Sequence, residues 1–214
     1  LLTSKHFYDE EDDIVGDHII GSLVRGPIEI YFHLFSLLDL QIPLYQDNPA
    51  SIHRLMLNVV YTNSLSLGLQ LFRPQSVNGY SGYTDSPNYD KNFITTATLR
   101  IRYNNSIDLL INGLNYNNYI YKLNLPLFVK NSGYFSDPFN ANTLVAEFCS
   151  LLHIEIPSNE RLAYFQDVFL GGLSLTNWKN DWDNYSKTNT ANVVKIPIDR
   201  LVKALIKSPE FQVL

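Results

Sequence analysis

Two groups of residues in this chain bring carboxylates and aromatic rings together. Asp181 and Asp183 flank Trp182, with Trp178 four residues earlier, and Asp85 and Asp90 lie among Tyr80, Tyr83 and Tyr89. Rings of this kind stack on the apolar faces of sugars, and two acids within about 10 Å of each other can divide the acid and base duties of glycoside hydrolysis. The same residue types also pin loops to a core, and aspartate before Ser-Pro or Asn makes turns. Spacing alone leaves both readings open; ligand contact is the one that names testable positions.

Other constellations carry less. Gly79-Tyr80-Ser81-Gly82-Tyr83 approaches the G-x-S-x-G nucleophile elbow, but Tyr83 stands where the closing glycine belongs and no strand is expected before it. His6, His18, His33, His53 and His153 include no i, i+4 pair and no H-E-x-x-H, and the single Cys149 cannot build a multi-thiolate site, so no metal and no cofactor is expected. Cys149 follows Phe148 on an apolar helical face without a basic activator and reads as a small buried hydrophobe. Of Arg100 and Arg102, a buried one would act as a clamp, its fork of donors tying loop carbonyls or a carboxylate to its helix. The acidic run from Asp9 to Asp13 lacks the ligand spacing of a calcium loop and reads as a solvated loop.

Helices must position these residues. Pro27 and Glu29 suit a helix start, with Ile28, Tyr31, Phe32, Phe35 and Leu38 on one face as far as about Leu40. Ser51 can cap a second helix through Ile52, Leu55, Met56, Val59 and Val60 to near Gly68. A long irregular loop is expected from Phe72 to Asp90, then a helix from Phe93 to Asn112 stopped by Gly113, then a second long connection over Asn115 to Asp137. Asn142, or Asn140 before it, caps a helix carrying Leu144, Val145, Phe148, Leu151 and Leu152. Ser158, with Arg161 three residues on, caps another that ends at Gly171-Gly172. A polar Trp/Asn segment from Asn177 to Asn192 leads to a last helix from Pro197 to Ile206, and Val193 to Ile198 and Ile120 to Val129 are the weak strand candidates. The expectation is a mainly α, irregular multi-helix single domain over 1–214, with about six helices around one core and two long Tyr/Asn-rich loops.

Composition bounds the partners. The chain has 214 residues, 45% hydrophobic and 17% charged, enough apolar material for a core. Its net charge of −5 argues against nucleic acid or anionic lipid as a partner, and no apolar run approaches the roughly 20 residues of a transmembrane segment.

The run Leu67-Gly68-Leu69-Gln70-Leu71-Phe72-Arg73-Pro74-Gln75-Ser76-Val77-Asn78-Gly79-Tyr80, followed by a Phe93-led helix with Thr98-Leu99 and Arg102-Tyr103-Asn104, resembles the hallmark stretch of the bacterial domain-of-unknown-function eighteen-hundred family. Leu1 to Phe7, the Arg25-Gly26-Pro27-Ile28-Glu29 helix start and Ser208 to Gln212 are also similar to it. Gln75 stands where a second proline is usual, and Tyr80 and Phe93 replace tryptophans. The resemblance makes Gly68, Phe72, Pro74, Gly79, Tyr80 and Arg102 hallmark positions with architectural or functional roles, and it carries over no catalytic residue. It implies that the chain is the C-terminal portion of a longer, exported protein, periplasmic or at the cell surface, whose N-terminal half packs against it. The function expected is a helical scaffold or binding module of a cell-envelope system that recognises a protein partner or a glycan. The alternative is a glycan-directed hydrolase using loop carboxylates, or the inactive C-terminal half of such an enzyme.

Overall fold

Pro27 needs no amide partner at a helix start, and the Glu29 carboxylate turns back to accept from the Gly26 amide at 2.5 Å. The chain thereby enters α1 (Pro27–Leu37) in a computed structural model that describes residues 24–37, 53–54, 57–84, 89–116, 119–153 and 157–213. The acidic run, His6, His18, Asp85, the Ser51 cap and the continuation of the first helix to Leu40 lie outside the described residues. The inward stripe of α1 is Pro27, Ile30, Tyr31 and Leu34, so Phe32, expected on the inner face, is turned outward. That stripe follows i, i+3, i+4, i+7 from the proline, which places the hydroxyl of Tyr31 among the polar groups described below.

A π-helical turn (Leu57–Thr62) runs into α2 (Asn63–Ser66) and stops at Gly68, whose φ of 89° suits glycine. The first long connection is not structureless: it holds α3 (Ser81–Thr84) and a 3₁₀ turn (Tyr89–Phe93). Helix α4 (Thr96–Ile107) starts at a reciprocal cap between Thr95 and Thr98, continues as a π turn (Asp108–Asn112), and ends at Gly113. The second long connection is also partly built. Strands β1 (Leu114–Tyr116) and β2 (Tyr119–Tyr121) form an antiparallel ribbon with Leu114 opposite Tyr121, and α5 (Leu125–Asn131) follows, capped by Asn124.

Helix α6 (Ala141–Leu152) is capped by Asn140, and α7 (Asn159–Leu170) by Ser158 through the Arg161 amide, with Gly171 left-handed at its end. The Trp/Asn segment is helix rather than connection: α8 (Leu175–Thr188) is capped by Ser174 and buries Trp178, Trp182 and Tyr185 along one stripe. The last helix, α9 (Asn192–Ile206), begins five residues ahead of Pro197, which sits inside it. Val193 to Ile198 is therefore helical, and of the other strand candidate only its beginning lies in β2. Burial decides this: Val194, Pro197, Ile198, Leu201, Val202, Leu205 and Ile206 fall on one helical face inside the core. Each aliphatic chain so buried contributes about 1.5–3 kcal/mol, against a proline cost of about 3 kcal/mol.

The fold is mainly helical, with nine α-helices among the described residues rather than about six, because the two connections and the Trp/Asn segment contribute helices of their own. Helix α9 packs against α4, α5, α6, α7 and α8 and forms the axis of the core. The two ends of the described chain meet: Val24 pairs with Val213, and the Arg25 amide donates to the Gln212 carbonyl at 2.8 Å. No helix among the described residues is long and apolar enough to cross a membrane.

Candidate functional site

The hallmark stretch folds into a loop, 67–84, that braces itself. Tyr80 donates its hydroxyl to the Gln70 carbonyl at 2.6 Å, Gln75 donates to the Gly68 carbonyl at 3.0 Å, and Ser81 donates its hydroxyl to Gln75 Oε1 at 3.2 Å. Ser76 and Gly79 pair backbone to backbone across the tip, with Gly79 at a φ of 118°. On this frame Phe72 is 93% exposed and Val77 fully exposed, and Pro74 is exposed between them. Phe72 also holds φ at 61°, a left-handed conformation that L side chains adopt only at a cost. Ser81 of the elbow-like sequence opens α3 and its hydroxyl is bound by Gln75, so no strand-to-helix elbow forms.

The loop is fastened to the body at its far end. A methyl group on Gly82 would sit 2.1 Å from the Phe93 ring, so only glycine fits there. Tyr83, half exposed, packs edge-on to Phe93 at 5.3 Å and to Tyr80 at 6.4 Å. Burial, then the nearby Glu29 charge, pushes the Tyr83 phenol above its ordinary range. Asp90 accepts from the Val24 amide at 2.5 Å. Tyr89 begins the 3₁₀ turn that carries Asp90.

Beneath lies a buried polar centre at the start of α1. Arg102 is 1% exposed and donates Nη1 to the Arg25 carbonyl at 2.8 Å; Arg25, equally buried, donates Nε to the Val213 carbonyl at 2.7 Å and lies over the Phe211 ring. The clamp read from sequence thus ties α4 to both ends of the described chain. Arg100, by contrast, is exposed. Burial lowers both guanidinium groups to about 10, opposed at Arg25 by the Glu29 charge and at Arg102 by Tyr31 and then Glu29. Tyr31, on the inner stripe of α1, accepts from Asn105 Nδ2 at 3.1 Å, and burial pushes its phenol up to about 12. Arg102 Nε and Nη2 and the hydroxyls of Ser64 and Ser106 have no hydrogen-bond partner among the described residues, and all are buried. Sequence reading found Arg102 but not Ser64, Ser106 or Arg25 as its neighbours, because nothing local links α1, α2 and α4.

The second carboxylate-aromatic group lies elsewhere, on α8. Trp178 and Trp182 are buried in the core: Trp178 packs on Phe169 at 4.6 Å and donates its indole N–H to the Pro138 carbonyl at 3.0 Å, and Trp182 packs between Trp178 and Tyr185. Their faces are occupied by neighbouring rings rather than open to a sugar. Asp181 and Asp183, two residues apart on a helix, point to different sides, and Asp183 is paired with Lys187 at 2.5 Å. These acids are helical, not loop, carboxylates. Cys149 is fully buried, and burial pushes its thiol up to about 12, the behaviour of a packing residue. No group of three or more His, Cys, Asp or Glu side chains suited to a metal occurs among the described residues.

Comparison with known proteins adds one finding. A family model described as "Protein of unknown function (DUF1800)" matches residues 1–213. No curated protein and no solved structure matches the chain.

Proposed function

This chain belongs to the DUF1800 family, proteins of unknown function, and from that premise we propose that it is a helical binding module of an exported cell-envelope system, recognising a protein partner or a glycan through the loop 67–84. The observation that carries this reading is Phe72, an aromatic ring 93% exposed on a left-handed residue, within a loop braced by its own side chains. A braced loop loses little freedom on binding, and burying one phenylalanine contributes about 1.5–3 kcal/mol. Val77 adds a second exposed apolar side chain to the same loop, Tyr80 and Tyr83 pack its far end onto Phe93, and Asp90 of the adjoining turn is fixed by the Val24 amide. The resemblance to exported proteins supports the envelope location; fractionation of the source cells tests it.

The decisive experiment uses the full chain as bait on an envelope extract, alongside a Phe72→Ser/Val77→Ser variant. The reading expects a retained species that the variant loses, with protease and glycosidase treatment of the extract separating protein from glycan. Retention that is equal for both baits overturns it. The hydrolase reading has less support, because the α8 acids diverge, Asp183 is held by Lys187 and Asp90 by the Val24 amide.

A further inference from the structure

Arg102 is anchored on one side only. Its Nη1 is held by the Arg25 carbonyl at 2.8 Å, which leaves the Nε/Nη2 edge complete and unpartnered in the interior. That is the edge with which Arg161 of this same protein grips Glu210, Nε to Oε1 at 2.8 Å and Nη2 to Oε2 at 3.1 Å. It is the side-on fork that matches two oxygens of a carboxylate or phosphate.

Two further donors lack partners close by. Ser106 lies four residues after Arg102 on α4 and so on the same face, and its buried hydroxyl is unpartnered. Ser64, on α2, likewise has a buried, unpartnered hydroxyl. The three helices converge here: α2 packs on α1 and on α4, and Asn105, beside Ser106, donates to the Tyr31 hydroxyl on α1. Tyr31, and after it Glu29, are the groups whose charge Arg102 feels, and Glu29 Oε2 accepts from the Gly26 amide. The centre therefore holds two buried guanidinium groups, Arg102 with a free fork and Arg25 with Nη1 and Nη2 unpartnered, together with two free hydroxyls. A buried charge without a full set of partners is costly, and clustered unpartnered donors are the chemistry that an oxyanion satisfies.

We propose that Arg102, Ser106 and Ser64 form a binding site for a tetrahedral oxyanion of the phosphate class, the guanidinium fork taking two oxygens and the serine hydroxyls the others. The site is separate from the exposed Phe72 ring and stands whether or not that loop binds a partner.

The test is thermal unfolding of the full chain titrated with inorganic phosphate and, separately, with sulfate, sodium chloride holding ionic strength constant. The expected result is a saturable rise in melting temperature with either oxyanion and none with chloride. Arg102→Lys keeps the charge but removes the fork and is expected to weaken phosphate about tenfold or more, since a hydrogen bond to a charged group contributes about 1.5–3 kcal/mol and 1.4 kcal/mol is tenfold. Ser64→Ala/Ser106→Ala, which deletes only unpartnered hydroxyls, is expected to melt no lower than the native chain without ligand and to bind phosphate at least threefold more weakly. The proposal falls if neither anion gives a saturable shift, or if phosphate binding is the same in the serine variant as in the native chain. Because the serine variant removes no contact, it remains informative even where Arg102→Lys does not fold.

Discussion

Phe72 combines two unfavourable choices, a left-handed backbone and a solvated ring. The backbone costs about 1–2 kcal/mol, and glycine at that position relieves it while giving back about 0.5–1 kcal/mol in chain entropy. Phe72→Gly is therefore expected to leave the stability within about 1 kcal/mol of native in urea unfolding while abolishing partner retention. Gly82 faces the opposite constraint. Its missing side chain is filled by the Phe93 ring, so Gly82→Ala is expected to cost about 1–3 kcal/mol by the same assay. His33 gives a pH signature. Burial, and next the Arg25 charge, lowers its pKa to about 4, so below pH 6.5 the unfolded chain binds a proton that the folded protein refuses until about pH 4. Stability should decline across that window, and His33→Gln should flatten part of the decline when urea midpoints are compared at about pH 7 and about pH 4.5. His153, also lowered by burial, contributes in the same direction.

At the level of elements, the side-chain caps are discrete and separable. Ser158 accepts from the Arg161 amide at 3.3 Å and Ser174 from the Asn177 amide at 3.1 Å. Alanine at either is expected to cost about 1 kcal/mol, read as a shift in urea midpoint without a change in slope. Caps and breaks of this sort were legible in the sequence: Asn140, Ser158, Gly113 and Gly171 bound helices where their types suggest, because each acts within a turn of its own position. Helix α8 was not legible by polarity, since Asn, Asp, Ser and Thr are weak helix formers. Its signal was the i, i+4, i+7 spacing of Trp178, Trp182 and Tyr185 after Ser174, and tertiary burial overrides the propensity. Trp178→Ala should accordingly cost about 3–5 kcal/mol. Pro197 misled for the complementary reason, a helix start by type that the core carries in a helix interior.

For the whole molecule, cohesion depends on segments far apart in sequence. Val24 and Arg25 are fixed by Val213, Gln212 and Arg102, and Phe211 is buried under the Arg25 guanidinium. Periodicity reports none of this, which is why the candidate site could be named in part, Tyr80, Tyr83, Asp90 and Arg102, while its floor of Arg25, Ser64 and Ser106 could not. Removing 209–214 leaves Arg25 without its carbonyl acceptor and strips Phe211 from the core, and the expected outcome is a loss of cooperative thermal unfolding, seen as a broad transition in calorimetry. The Val24 to Val213 pairing also has an engineering consequence. Paired antiparallel residues lie about 5 Å apart, so cysteines introduced together as Val24→Cys/Val213→Cys fall within the Cα spacing of a disulfide and would staple these two distant segments covalently.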